Sequence, residues 1–418
     1  MGVGFEFATG WDIYKFKAGV ALPARGIVSA SQLPAFTDPY PKAAVVRGGL
    51  GWQMTVDGTE IEYVTSDVPE SAAGENQLVG IVGDLTRFVS MMNKRNMQEF
   101  LTVKDFPDGT FPPANRDFII HIKKDLRMKE IEAIPQVSGG VRLARIRKLW
   151  RLLADPKSIA AKRFFSETNG GVPIYSPMIS KPTLPWKRIK DTNWPDHKPS
   201  AALRGLVTLI ATYLQRGYSP TGASVGAVKY LFFIMSRTNF SALFNQLPMA
   251  EQRYYRRHKD QWVSFICKDI MSQVLTLPAG LDANGSLIER RIIDRGKLNP
   301  GKILPITRKD WLKGIVEGRD VLSAHEHPLG GADNAEWQDA DANLGHRLRG
   351  LAGLGDKMDS LTYKGRENKA VILEFRARQA VLKYSNWTTY CLEMHKFFTQ
   401  INEGDRDGMI DIDASVLS

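Results

Sequence analysis

At 418 residues, 43% hydrophobic and 24% charged, the chain has room for a sizeable core and the composition of a folded protein, which excludes a disordered one. Its 56 Lys and Arg against 45 Asp and Glu leave a net charge of +11, which favours anionic partners in general, and its two cysteines, Cys267 and Cys391, exclude a disulfide framework and point to a reducing compartment. No basic leader precedes an apolar run at the N-terminus, and Lys229, Arg237 and Asn239 interrupt the most apolar stretch, Ala223–Leu247, so a cytoplasmic enzyme with no membrane span is expected.

From residue 1 to about 155, short apolar runs (VGFEF, KAAVVRG, IEYVT, DFIIHIK, IPQVSGGV) alternate with Gly, Pro and Asp clusters, which predicts strands. One stretch among them, Asn76–Met92, predicts a helix. RLARIRKLWRLLAD, Arg142–Asp155, has apolar residues at helical spacing and closes this part. Residues 156–199, rich in Pro, Lys and aromatics, suit an irregular excursion. Ala201–Arg216, Ala223–Gln246 and Ala250–Leu275 are expected to be helices, separated at Gly217–Gly222 and at Pro248. Residues 278–300 and 325–368 are polar and Gly-rich and are expected to be long loops. A last strand, Ala370–Arg378, precedes a helix from Trp387 to about Asn402 and an acidic tail. The expected fold class is α+β in three parts. Residues 1–155 form the N-terminal part of a sheet-based catalytic domain, 156–330 a mainly helical insertion, and 331–418 a Gly-rich loop, closing strand and C-terminal helix that complete the catalytic domain.

Three predicted strands carry ionisable groups, and because strand side chains alternate faces, groups two residues apart point the same way. They are GFEFA (Gly4–Ala8), DGTEIEYVT (Asp57–Thr65) and ILEFRAR (Ile372–Arg378). Glu60 and Glu62 share a face opposite Ile61 and Tyr63, Glu374 and Arg376 share one opposite Leu373 and Phe375, and Glu6 stands between Phe5 and Phe7. A solvated sheet face explains any one of these strands. Several carboxylates meeting on one face would make a hard-oxygen site suited to Mg²⁺ and to phosphate chemistry.

Gly4-Phe5-Glu6-Phe7 resembles the opening G-x-E-x-E strand of the glutamine-synthetase-like carboxylate-amine ligases, the amidoligase branch above all. Asp57–Thr65 resembles their DGS-type turn followed by E-I-V-[ST], and AVILEFR (Ala370–Arg376) resembles their terminal T-[IV]-E-F-R strand, with the Trp387 helix following. PQVSGGV (Pro135–Val141) resembles their strand H-V-H-V-G, with Gln136 and Ser138 in place of the histidines; the second acid of the first strand is Ala8 here.

The resemblance implies a glutamine-synthetase-like curved antiparallel sheet with a large helical insertion, ATP and Mg as cofactors, and a carboxylate and an amine or ammonia, free or on a peptide or protein, as substrates. ATP would phosphorylate the carboxylate, and the amine would attack the acyl phosphate. Glu6, Glu62 and Glu374 would hold Mg²⁺, with Glu60 a further ligand and His121 of FIIHIK a replacement for the missing imidazoles. Glu62, Glu374 and Arg376 would carry catalysis, Arg376 through its planar fork on the transferring phosphoryl group. Gln136 and Ser138 would orient the cofactor or substrate. Arg237, in an otherwise apolar run, is either paired in the core or reaches the cofactor.

Two other readings stand beside this one. The basic runs RLARIRKLWR and RYYRRHK (Arg253–Lys259) suit a nucleic-acid-binding protein or, because their apolar residues fall at helical spacing, solvated helix faces. Ala8, Gln136 and Ser138 suit a non-catalytic nucleotide-binding descendant of the same fold. Gly350–Lys357 (GLAGLGDK) departs from a phosphate-cradling loop at Asp356, and His325-Glu326-His327 lacks the partners of a metal site; both read as solvated loop.

Overall fold

The computed structural model describes residues 2–149, 199–216, 234–236, 240–264, 266, 291–293, 303–317, 360–363, 366–376 and 381–402. The chain divides into two compact units, residues 1–138 with 376–399 and residues 139–375 with 400–418.

The first unit is built on β1 (Gly2–Phe16), in which Val3, Phe5, Phe7, Trp11 and Ile13 are buried while Glu6, Ala8 and Tyr14 are only half-buried. That period of two is the pattern of a strand with one face on a core. In chain order α1 (Leu33–Phe36), β2 (Thr37–Pro39), β3 (Arg47–Gly49), β4 (Trp52–Asp57), β5 (Glu60–Thr65) and β6 (Val68–Pro69) follow, then α2 (Ala72–Asn93), β7 (Phe100–Thr102), β8 (Phe118–His121) and β9 (Glu132–Val141). The sheet runs β9-β1-β5-β4-β3, with β2, β6 and β8 also on β1 and β7 on β8. β1 is antiparallel to β2, β5, β6 and β8, and β4 is antiparallel to β3 and β5.

One face of this sheet is covered by α2 and by the C-terminal helix, Trp387–Asn402. The Ser71 hydroxyl caps α2 by accepting from Gly74 N at 3.1 Å, and Leu78, Ile81, Val82, Leu85, Phe88, Val89 and Met92 form its buried stripe. Phe7 lies flat on Trp387, with ring centroids 4.1 Å apart and planes 9° apart, and Tyr63 meets the same indole at 5.8 Å. Trp52 and Phe88 join β4 to α2 at 5.1 Å. Each such fully buried aromatic contributes roughly 2 kcal/mol or more by area alone. The Pro69 carbonyl is a junction: it accepts from Ser71 N at 2.9 Å and from His395 Nε2 at 2.8 Å, so that nitrogen carries the imidazole proton.

In the second unit α3 (Ala201–Arg216) begins at Ser200, whose hydroxyl accepts from Leu203 N at 3.0 Å and donates to buried Glu251 at 2.7 Å. β10 (Ile234–Ser236), α4 (Phe240–Phe244), α5 (Met249–Arg257), α6 (Lys259–Ser264), β11 (Arg291–Ile293), β12 (Ile303–Thr307) and α7 (Arg308–Glu317) follow, then β13 (Ser360–Tyr363), β14 (Arg366–Lys369) and β15 (Val371–Arg376). Helices α6 and α7 are joined by Trp262 Nε1, which donates to the Leu312 carbonyl at 3.0 Å. β15 is antiparallel to β10, placing Glu374 opposite Met235. β16 (Leu382–Lys383) pairs with β9, and α8 (Trp387–Asn402) ends the described chain.

The class is α+β, with a large antiparallel sheet and helices. Several elements differ from the expectations. KAAVVRG is a strand only at Arg47–Gly49, because Ala43 takes a left-handed φ of 59° that breaks extension. α2 starts at Ala72 rather than Asn76, since Ser71 supplies the cap. Ala223–Gln246 is not one helix: residues 234–236 are a strand, and among the described residues of that stretch the helix is Phe240–Phe244, an apolar run of that length fitting a buried strand as well as a helix. Ala250–Leu275 is divided at His258, whose φ of -118° and ψ of 54° end α5. The segments expected as loops at 278–300 and 325–368 contain β11, β13 and most of β14. The excursion at 156–198 lies outside the described residues. No described helix is long and apolar enough to cross a membrane.

Two glycines of α2 separate packing from propensity. A Cβ at Gly74 would stand 1.8 Å from the Pro69 carbonyl oxygen, whereas one at Gly83 meets nothing within 4 Å. Gly74→Ala is expected to destabilise by at least about 2 kcal/mol despite the better helix propensity of Ala, and Gly83→Ala to stabilise by about 0.5–1 kcal/mol. Urea unfolding of both variants checks the opposite signs. Asp84 of α2 accepts from Trp52 Nε1 at 2.8 Å and Leu50 N at 3.1 Å, and the indole bond above all holds its carboxyl below its ordinary value. A depressed folded value contributes stability that is complete above the unfolded carboxylate range, near 4, and is lost as pH falls through the folded value. Asp84→Asn should therefore be less stable than wild type at neutral pH, and the gap should close on acidification below about 4.

Candidate active site

The sheet face opposite α2 and α8 carries the carboxylates. β1 and β5 pair with Glu6 opposite Val64 and Ala8 opposite Glu62, so Glu6 and Glu62 are diagonal neighbours on one face, about 7 Å apart at most between Cβ atoms for such a pair. Both are half-buried, between core residues Phe5, Phe7, Ile61 and Tyr63. Ala8, standing directly across from Glu62, leaves space between the two acids.

Beyond Ala8 the register shifts. Four steps along β1, from Ala8 to Asp12, match two along β5, from Glu62 to Glu60. The bulge includes Gly10 at φ 70°, a conformation that glycine adopts without strain. Because the excess is even, Asp12 remains on the face of Glu60 and Glu62. It stands opposite Glu60 on one side and His121 of β8 on the other.

A row of charges crosses these strands. Asp12, 5% exposed, accepts from Thr59 Oγ1 at 3.1 Å and meets Lys123 Nζ at 3.3 Å and His121 Nδ1 at 3.7 Å. Lys123 also reaches Glu60 at 3.8 Å, His121 Nε2 lies 4.0 Å from Glu99, and Arg127 pairs with Glu99 at 3.1 Å. The ring of His121 stacks on Phe100 at 5.3 Å. Burial first, then the charge of Asp12, raises the Tyr14 phenol above its ordinary value, with Lys123 opposing. Glu60 and His121 thus sit in a compensated ionic row, one pleat along from the Glu6–Glu62 pair.

On β9, Gln136 and Ser138 are half-buried and alternate with buried Pro135, Val137 and Gly139, the same division as on β1. Gln136 Oε1 is shielded from solvent and has no hydrogen-bond partner among the described residues. A shielded amide oxygen without a donor is costly, of order 1–3 kcal/mol, and is the kind of atom a ligand satisfies.

Of the other expected site residues, Glu374 is wholly buried on β15, in the second unit. Arg376 ends β15, and its side chain is outside the described residues, as are Arg237, Gly350–Lys357 and His325–His327. The run Arg253–Lys259 spans the end of α5 and the first residue of α6. Tyr255 is buried against Trp262 at 5.1 Å, so its ring is not an open stacking surface for a base, while Tyr254 is half-buried and its hydroxyl donates to Gln261. In the run from Arg142, Arg142 Nη2 donates to the Asn402 carbonyl at 3.0 Å and Lys148 to that of Gln400 at 2.5 Å. Asp12, Glu99, Lys123 and Arg127 were not singled out by the sequence. Alternation along β1 does put Asp12 on the face of Glu6, but only the bulge and the β8 pairing bring it to His121 and Lys123.

Among the described residues no group of three or more His, Cys, Asp or Glu is placed to hold a metal ion. Mg²⁺ keeps several waters and is bound through one or two carboxylates plus substrate phosphates. The Glu6–Glu62 pair therefore fits a hydrated Mg²⁺ arriving with a nucleotide, not a caged ion. Removing the Asp12 charge should uncouple the ionic row: Asp12→Asn is expected to lower stability by about 1–3 kcal/mol, and the double variant with Lys123→Met by less than the sum of the singles. Denaturant unfolding of the four proteins measures that coupling, and strict additivity would contradict it.

No protein-family model and no curated protein matches this chain. Two solved structures are similar over most of its length. One is a Vibrio cholerae toxin from the MARTX/VgrG family, 12% identical, with 91% of this chain and 93% of that chain covered at a TM-score of 0.40. The other is a point mutant of the ACD domain of a VgrG toxin of Vibrio cholerae in complex with ADP and Mn++, 11% identical, with coverage of 93% and 95% and a TM-score of 0.40. Likeness at that score carries no conclusion about the fold or activity of this chain.

Proposed function

We propose that this protein is an ATP- and Mg-dependent ligase of the glutamine-synthetase-like, amidoligase kind, joining a carboxylate to an amine or ammonia through an acyl phosphate. The observation that carries this reading is the Glu6–Glu62 diagonal pair, two half-buried carboxylates on the sheet face opposite the one covered by α2 and α8. The two acids stand in the segments GFEF and DGTEIEYVT, which resemble that group's strands.

In the proposed reaction a substrate carboxylate oxygen attacks the γ-phosphorus of ATP and ADP leaves. The amine nitrogen then attacks the acyl carbon, phosphate leaves, and the nitrogen loses a proton. Both steps need positioning and charge neutralisation more than covalent help. Bound Mg²⁺ would supply the neutralising charge on the phosphates. Glu6 and Glu62 would hold that ion from a rigid sheet. Gln136 Oε1 would accept a hydrogen bond from nucleotide or substrate, with Ser138 one pleat further along β9. The substrates would be small molecules, peptides or protein side chains.

The test is coupled ADP and phosphate release over a panel of carboxylates and amines, with calorimetry of Mg·ADP on the same preparations. Glu6→Gln and Glu62→Gln are expected to lower kcat/KM by about 10²–10³-fold, while Gln53→Ala, exposed on β4, leaves it unchanged. Glu374→Gln is measured beside them, since the resemblance gives Glu374 a ligand's role. Wild type that neither binds Mg·ADP nor releases phosphate with any pair would sink the reading, and tight nucleotide binding without turnover would favour the non-catalytic descendant.

A further inference from the structure

Beside the Glu99–Arg127 end of the ionic row, the loop after α2 and the loop between β8 and β9 are stitched into one platform. Met128 N donates to the Asn96 carbonyl at 3.1 Å, Asn96 Nδ2 to that of Lys129 at 2.5 Å, and Ile131 N to Asn93 Oδ1 at 2.8 Å. Ile122 N donates to the Glu99 carbonyl at 2.8 Å, and Arg127 pairs with Glu99 at 3.1 Å. On loops held this firmly, large apolar side chains at the tips have no need to face water. Yet Met97 is 70% exposed and Met128 75% exposed.

Met128 adds a second anomaly. Its φ is 62°, left-handed and unfavourable for a side chain of this size by roughly 1 kcal/mol or more. The bonds around it impose that conformation and turn the thioether outward. Strain spent on presenting an apolar group to solvent destabilises the free protein and is recovered only when something covers the group. Lys94, Lys124 and Lys129 are exposed on the same two loops and form no ion pair among the described residues, against a single exposed acid, Asp125. The surface is apolar at its tips and positive around them.

We propose that this platform docks an acidic polypeptide segment carrying aliphatic side chains, the methionines packing on the aliphatic groups and the lysines pairing with the acids. Methionine suits this partner because it is unbranched and adapts to different aliphatic shapes. Nucleic acid, the other polyanion, is bound by stacking bases on aromatic rings, and neither tip offers one. The inference does not depend on the ligase reading.

The experiment titrates the full chain into a short fluorescein-labelled peptide of alternating aspartate and leucine, read by anisotropy. Poly-aspartate and a single-stranded RNA oligonucleotide of matched charge serve as controls. Binding of the alternating peptide is expected to exceed both controls by about tenfold and to weaken with added salt. Met97→Ser with Met128→Gly is expected to weaken it about tenfold, and Lys124→Glu with Lys129→Glu as much or more. Met128→Gly alone serves as the folding control: relief of the left-handed strain should leave thermal stability equal or higher while affinity falls. Equal binding of poly-aspartate or RNA, or undiminished affinity in the methionine variants, overturns the proposal.

Discussion

Phe7 lying flat on Trp387 sets which way the rest of β1 points. Once that ring is under α8, a period of two sends Val3, Phe5, Trp11 and Ile13 into the same core and leaves Glu6, Ala8 and Asp12 on the opposite face. A slip of one residue would bury Glu6 among aromatic rings and put Phe5 and Phe7 in water, so the register is strongly specified. The neighbouring strand follows by pairing, and Glu62 takes its place beside Glu6 because Tyr63 packs against Trp387 on the other side. The carboxylate face is thus a consequence of aromatic burial on its reverse.

The bulge at Gly10 divides that face into two chemically different regions. On the Glu6 side two acids stand with a small residue between them. On the Asp12 side every acid has a cation in reach: Lys123 for Asp12 and Glu60, Arg127 for Glu99. A row of alternating sign holds its members in place, whereas two carboxylates side by side on one strand face are the oxygen donors a hydrated divalent ion takes. Buried Asp12 anchors the row, and its contacts tie β1, β5 and β8 together at the point where the register changes.

Strands β1, β5, β8 and β9 were legible because their apolar runs are bounded by Gly, Pro or Asp, whereas β4, Trp52–Asp57, was not among the runs read as strands. The candidate acids were legible for the same reason, since Glu6, Glu60 and Glu62 fall on alternation positions of recognisable strands. The second unit was less legible. Its apolar run around Ile234 has no alternation, and whether such a segment is a strand or a helix is decided by the partner it pairs with, here β15. The short strands β11, β13 and β14 sit in polar, Gly-rich stretches whose composition is that of loops. The basic runs read from sequence as possible polyanion sites, but helical packing buries Tyr255 and engages Arg142 and Lys148 with backbone carbonyls.

The sequence by itself determined the alternation of β1, β5 and β9, the amphipathic stripe of α2, and the residue types available for chemistry, because these follow from local periodicity and side-chain identity. Only the tertiary structure decided which acids stand together. Diagonal pairing of Glu6 with Glu62 depends on strand register, and the association of Asp12 with His121, Lys123 and Glu60 depends on a two-residue bulge and on β8 joining β1, relations between segments far apart in the chain. Exposure of Met97 and Met128 was likewise set by hydrogen bonds between two loops, one of which holds Met128 left-handed, a constraint no local pattern carries.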